Sequence, residues 1–158
     1  MPLSALPDLE KFVEKLLRKY PDEWVATVVH ELGHALAYFD GGIAVEEVTV
    51  EQRWDHVGGN TRAVDLDDYP QSPYLVCIVA GAVAEDLVRE RCGLPPTPDW
   101  VWESHRDLFE ENRRGSRLVP KEAIRQARAI VESGFDWIEH YAPLLAETGR
   151  LTRHELHR

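Results

Sequence analysis

Apolar residues recur at helical spacing in several stretches of the chain. In residues 8–20 the apolar side chains fall on one stripe and the charged ones lie opposite, which predicts an amphipathic covering helix. Residues 22–39 and 72–91 are more continuously apolar, so we expect two buried helices there. Residues 120–133 and 135–147 show the amphipathic period again. The pattern therefore predicts a mostly α protein.

A small β-sheet is expected beside these helices. Residues 43–51 are rich in β-branched side chains, which is typical of a strand. The glycine-bearing stretch 57–61 is compatible with a turn or with an edge strand. A proline-rich break precedes a further segment at 99–114, and residues 151–152 are expected to begin a short terminal helix. The expected fold class is therefore mostly α (α+β).

The length and the patterning predict a single domain over residues 1–158. This length is enough for one hydrophobic core, and 44% apolar and 29% charged residues are ordinary for a globular chain. Residues 1–21 are assigned to the N-terminal covering helix and residues 22–158 to the main core. Neither an internal repeat nor a low-complexity linker divides the sequence.

Charge and motif content narrow the classes of partner. A formal net charge of −10 argues against nucleic acid and against an anionic membrane surface as partners. No apolar run is expected to reach the length of a membrane span, and the first residues lack the features of a signal peptide. We therefore expect a cytoplasmic protein whose Cys77 and Cys92 are reduced structural thiols. Without a G-x-x-x-x-G-K-[ST] stretch, ATP binding by this chain is not expected.

The residues that point to chemistry lie in the helix predicted at 22–39. His30, Glu31 and His34 form an H-E-x-x-H pattern. Residues four apart on a helix are neighbours on its surface, so both imidazoles can reach one metal ion. The alternative is a pair of surface histidines flanking a solvated glutamate. The apolar residues at helical spacing around the motif favour a buried site instead.

The pattern predicts a zinc hydrolase site. Two neutral histidines and a third protein group would hold Zn²⁺, a water would fill the fourth place, and Glu31 would act as general base. Gly33, between the histidines, is expected where another backbone passes close to this face. His56 is a further residue that could approach the site as a transition-state donor.

The identity of the third ligand stays open at this stage. Asp40 occupies the metzincin ligand position after His34. However, Ala37 stands where a metzincin has the glycine that turns the chain back toward the metal. A gluzincin would use a glutamate on a later helix, and further donors follow the proline break. The candidates are Asp40, Glu85, Asp99, His105 and Asp107.

The sequence resembles the zinc peptidase domain of the FtsH-type ATP-dependent proteases. HELGHA at residues 30–35 is similar to the family's signature helix, and AGAVAED at 80–86 to a downstream helix. SHRDL at 104–108 occupies the place of the segment that carries the family's aspartate ligand. With the similar helix EAIRQARAIVESG and the chain's tail, the resemblance covers about residues 22–158.

The resemblance implies a zincin-like, mostly helical fold with His30, His34 and Asp107 as zinc ligands and Glu31 as general base. It also implies an edge strand near residues 57–63 that could align a peptide by β-augmentation. It does not extend to ATP-driven degradation, because the ATPase signature is missing from this sequence. Regulators of the ImmA/IrrE type share the HELGH motif.

The sequence therefore predicts a soluble, ATP-independent zinc metallopeptidase acting on peptides or unfolded protein segments. The alternative is a catalytically silent zinc-binding interaction or regulatory domain, or an ImmA/IrrE-like regulatory metallopeptidase. Self-association into a homo-oligomer is left open.

Overall fold

The computed structural model describes residues 8–64, 71–113 and 115–158. Over these ranges the chain forms six helices and one antiparallel sheet of three strands, which confirms a mostly helical α+β fold. The helices are α1 (Leu9–Leu17), α2 (Asp22–Asp40), α3 (Gln71–Cys92), α4 (Asp99–Asn112), α5 (Pro120–Ser133) and α6 (Phe135–Thr148). The strands are β1 (Val45–Gln52), β2 (Val57–Ala63) and β3 (Arg150–Thr152).

The centre of the fold is the contact between α2 and α3. At Gly33 the two helices come so close that an added Cβ would lie 2.6 Å from Ala84 Cβ and 2.8 Å from the Ala80 carbonyl oxygen. Only a glycine fits there, as expected for a residue that faces another backbone. This close contact fixes the position of the H-E-x-x-H face of α2 relative to α3.

Helix α3 is longer and more apolar than was expected of any segment from the sequence. By length and composition alone this helix could cross a membrane, contrary to the expectation that no apolar run reaches such a length. In the fold, 72% of its apolar window is buried inside the protein, where α1, α2, α4 and α5 pack around it. A core helix surrounded in this way needs apolar side chains on nearly every face.

The strand order in the sheet is β2-β1-β3, and β1 pairs antiparallel with both neighbours. The stretch 57–61 is therefore part of an edge strand rather than a turn. The terminal helix expected from residues 151–152 is wrong, because Leu151 pairs with Val48 and is buried in β3. Gly149, with φ of 71°, ends α6 in the left-handed conformation and lets the chain turn into this strand.

Among the described helices, α4 buries the fewest side chains. Its buried side chains are Val101 and Phe109. At its C-terminal end the Gln71 side-chain amide donates a hydrogen bond to the Asn112 carbonyl oxygen. Helix α4 thus lies along α3 and forms one wall of a cleft of about 630 Å³ that α2, α3 and β2 also line.

Candidate metal centre

Three imidazoles converge on one point in this cleft. His30 and His34 lie on α2 and His105 lies on α4. Their Nε2 atoms are 3.1 Å (His30–His105), 3.1 Å (His30–His34) and 3.3 Å (His34–His105) apart. A tetrahedral zinc ion about 2.0–2.1 Å from each nitrogen would set them roughly 3.3 Å apart. The cluster therefore has the spacing of a metal-binding donor set.

The other nitrogen of each ring has a hydrogen-bond partner that orients it. His30 Nδ1 lies 2.9 Å from Glu85 Oε2, and His34 Nδ1 lies 2.7 Å from the Cys77 carbonyl oxygen. His105 Nδ1 lies 2.7 Å from the Val101 carbonyl oxygen. In a neutral ring each Nδ1–H donates to its partner, which leaves the Nε2 lone pair free for a metal. The residues present therefore fit a divalent metal ion.

Burial favours the neutral, metal-binding form of two of these rings. It holds the pKa of His34 well below its usual value, and the nearby His30 and His105 add to this effect. Burial also lowers the pKa of His105, again with a contribution from His30. Both rings are therefore neutral at physiological pH, and binding a metal does not require removal of a proton from them.

Glu85 supports the cluster from outside the donor set. Its carboxylate accepts hydrogen bonds from His30 Nδ1 and, at 2.9 Å, from Arg89 Nε. Burial works to raise the pKa of Glu85, but the hydrogen bond and charge of His30 and the charge of Arg89 outweigh it and lower the pKa. Glu85 is thus ionised and orients a ligand; it does not itself join the converging atoms.

The structure brings His105 rather than Asp107 to the motif histidines. Among the described residues, the atoms that converge belong to His30, His34 and His105, and the Asp107 side chain is exposed. Two positions along a helix correspond to a rotation of about 200°, so residues 105 and 107 cannot face the same point. The structure therefore does not bring Asp107, the zinc ligand implied by the family resemblance, to the converging nitrogens.

The remaining aspartate candidates also lie away from the cluster. Asp99 is exposed at the first residue of α4. Asp40 is exposed at the last residue of α2, where its carboxylate is 3.7 Å from Arg158 Nη1. Asp40 follows His34 by more than a helical turn without a break in α2, so it cannot return to the metal face.

Glu31 lies beside the cluster, beneath strand β2. It is buried, with 7% of its surface exposed, and the Thr61 hydroxyl is 2.7 Å from its Oε2 and 2.9 Å from its backbone carbonyl oxygen. Burial raises the pKa of the Glu31 carboxyl group, against the charge of His30 and the hydrogen bond from Thr61. A buried carboxylate with a raised pKa, oriented by one hydroxyl, is suited to accept a proton.

Two glycines make room for these side chains. A Cβ at Gly81 of α3 would lie 2.6 Å from His34 Cδ2 and 2.7 Å from His30 Cδ2. A Cβ at Gly59 of β2 would lie 2.6 Å from Glu31 Oε1. The sequence shows both glycines, but their roles depend on which helix and which strand pass over the motif.

The cleft opens from the cluster in two directions. Polar and charged side chains line one part, including Arg53 and His56 on the β1–β2 turn. His56 is half exposed and bonds to Asp55 at 2.6 Å, so it lies at the cleft rim and outside the group of converging nitrogens. Helices α2, α3 and α4 line the other part with Tyr38, Tyr74, Ile78 and Leu108.

Compared with protein-family models and with curated proteins, the chain shows no match. The assignment of a function therefore depends on the chemistry of the cleft.

Proposed function

We propose that the protein is a zinc-dependent metallopeptidase that hydrolyses peptide bonds in peptides or unfolded protein segments without ATP. One observation carries this proposal: three Nε2 atoms within 3.3 Å of one another converge beside a buried glutamate in an open cleft. Catalytic zinc sites combine three protein ligands with an open position in this way.

His30, His34 and His105 would hold the ion. When bound, zinc supplies a Lewis acid that acidifies water and polarises a carbonyl group. Glu31 would accept one proton from the attacking water, whose oxygen adds to the carbonyl carbon. The C–N bond then breaks, and Glu31 returns the proton to the leaving amine nitrogen. Thr61 would keep the carboxylate aimed during both transfers.

The shape of the cleft supports an extended peptide as the substrate. Residues 57–61 of β2 line the cleft, and β2 pairs with β1 on one side only among the described residues. An unpaired strand edge presents N–H and C=O groups that a peptide backbone can bind. Gly58 and Gly59 have no side chains of their own, and the side chains of Arg53 and Glu31 pack over them.

Replacing Glu31 by glutamine tests the mechanism. Glu31→Gln keeps the shape and the hydrogen bond but cannot accept the proton, so zinc content should be unchanged while peptide turnover falls about 10²–10⁴-fold. Zinc content is measured on the purified protein and turnover with unfolded casein. Asp22→Asn, an exposed residue of the same helix that does not line the cleft, is the control and should keep full activity. Casein cleavage by Glu31→Gln at the wild-type rate would refute the mechanism.

A structural metal centre in a catalytically silent interaction or regulatory domain is the second candidate. It is supported by α4, which contributes few buried side chains and would be held to α2 through His105. Metal removal separates the two functions. Loss of casein cleavage with the metal supports the peptidase, whereas a lower melting temperature in a protein that never cleaves supports the structural role.

A further inference from the structure

The cleft extends beyond the metal centre into an apolar subsite, formed by Tyr38, Tyr74, Ile78 and Leu108. Three helices contribute to it, each with a residue near its own part of the metal site. Tyr38 follows His34 by one helical turn on α2, and Leu108 follows His105 by one turn on α4. Ile78 precedes Gly81 by one turn on α3, and Tyr74 precedes Ile78 by another.

These residues lie at the same end of the cleft because of the helix directions. α2 and α3 run antiparallel: His30 contacts Glu85, whereas His34, further along α2, contacts the earlier residue Cys77. α4 also runs antiparallel to α3, because its last residue, Asn112, contacts the first residue of α3. One turn forward on α2 or α4 therefore moves in the same direction as one turn back on α3.

The four residues of the subsite carry no charge, whereas the rest of the cleft lining combines charged side chains with apolar ones such as Trp100. The Tyr38 and Tyr74 rings stack with centroids 6.4 Å apart and an interplanar angle of 20°, and Ile78 is buried beside them. Leu108 has 42% of its surface exposed, although it is a large apolar residue. The charged lining residues fall near the motif or at the other end: Glu23, Glu31, Arg53, Glu85 and Arg89.

We propose that this subsite binds a large apolar side chain of the substrate, next to the bond that is cut. The proposal rests on the peptidase function above and names the peptides it would select: those with leucine or an aromatic residue at that position. A cavity of about 630 Å³ in total has room for such a side chain along with the backbone on either side. The exposed face of Leu108 gains burial when the subsite is filled.

Leu108→Lys tests the subsite, with Leu144→Lys as the matched control. Both leucines are helical and similarly exposed, at 42% and 43%, but Leu144 lies on α6 and does not line the cleft. The probes are blocked peptides that differ at one position, with Leu, Phe, Ala or Asp. Wild type should cleave the Leu and Phe peptides at least about tenfold more efficiently than the Ala peptide.

In Leu108→Lys, the preference for the Leu and Phe peptides over the Ala peptide should fall at least about tenfold, and the Asp peptide should be cleaved more efficiently than by wild type. Leu144→Lys should behave as wild type. The same peptides are titrated calorimetrically into zinc-loaded Glu31→Gln, with and without Leu108→Lys, so that binding is measured without turnover. Cleavage without side-chain preference, or equal preference in both lysine variants, overturns the subsite but leaves the peptidase function. Selective binding of the Leu peptide that Leu108→Lys weakens, without cleavage by wild type, supports the subsite and refutes the peptidase. If the peptides are neither bound nor cleaved, both the subsite and the peptidase function are overturned.

Discussion

His105 and Asp107 lie two positions apart on α4, and His105 contributes the third nitrogen of the cluster. His105 faces α2 and Asp107 faces solvent because a helix turns about 200° over two residues. Since His105 Nδ1 is already bonded to the Val101 carbonyl oxygen, its Nε2 is oriented toward the site before any metal arrives.

Alanine substitutions at these two positions should have opposite outcomes. His105→Ala removes a donor, so its zinc affinity should fall at least about 100-fold, beyond the effect typical of a supporting residue. Asp107→Ala, the control on the same helix, should keep the wild-type affinity because its side chain is exposed. Competition with a chromophoric chelator measures both. The ligand assignment fails if Asp107→Ala loses zinc while His105→Ala retains it.

The sequence alone predicted the pairing of His30 with His34, but it did not identify the residues that other elements bring to the site. His30 and His34 were predicted to share one face because that relation depends on helix geometry within a single element.

The third nitrogen depends on how α4 rotates about its own axis when it packs on α3. Val101 and Phe109, four residues before and after His105, indicate that His105 lies on the packed face, but they do not show that this face meets the motif histidines. The hydroxyl of Thr61 was missed for the same reason, since its partner Glu31 is thirty residues away.

At the scale of elements, the helices with strong apolar periodicity were predicted close to their observed bounds. Strand β3 was not, because its three residues are too few to show a period of two. Its structure is determined by pairing with β1, more than a hundred residues earlier in the chain. For β2, which the sequence left open, pairing with β1 again decides in favour of a strand.

Metal removal should loosen α4 selectively. This helix buries Val101 and Phe109 and contributes one of the three converging nitrogens, whereas α3 is buried along most of its length. Chelation should therefore speed hydrogen exchange of α4 amides about tenfold, the change that ~1.4 kcal/mol of local stability produces. Exchange in the buried part of α3 should stay the same.

The control for this experiment is His105→Ala, in which α4 should exchange fast with or without zinc. Equal protection of α4 in the zinc-bound and metal-free wild-type protein would contradict a metal link between α4 and α2.

For the whole molecule, the buried histidines predict that the metal-free protein loses stability in acid. Folding lowers the pKa of His34 and His105, so below about pH 6.5 the unfolded chain binds protons that the folded chain does not. The free energy of unfolding therefore decreases as the pH is lowered, by up to about 1.4 kcal/mol per pH unit for each histidine. Protons also compete with zinc for the same nitrogens, so zinc should be released below about pH 5–6.

Urea unfolding of the metal-free protein at pH 7.5 and pH 5.5 measures this loss. His34→Asn is the control, since its amide can still donate to the Cys77 carbonyl oxygen but does not titrate. The raised pKa of Glu31 opposes the trend, but both proteins carry Glu31, so it cancels in the comparison. A pH dependence as steep in His34→Asn as in wild type would rule out His34 as a source.

The all-histidine donor set has a consequence for the ligands that would compete with substrate. An aspartate in the third place would neutralise part of the charge of a divalent cation, and three imidazoles neutralise none of it. In a chain with a net charge of −10, the loaded cleft would be a small electropositive spot on an acidic surface. Hydroxamates, phosphate and the new C-terminus released by each cut would then be retained there, so the proposed peptidase would be inhibited by its own products.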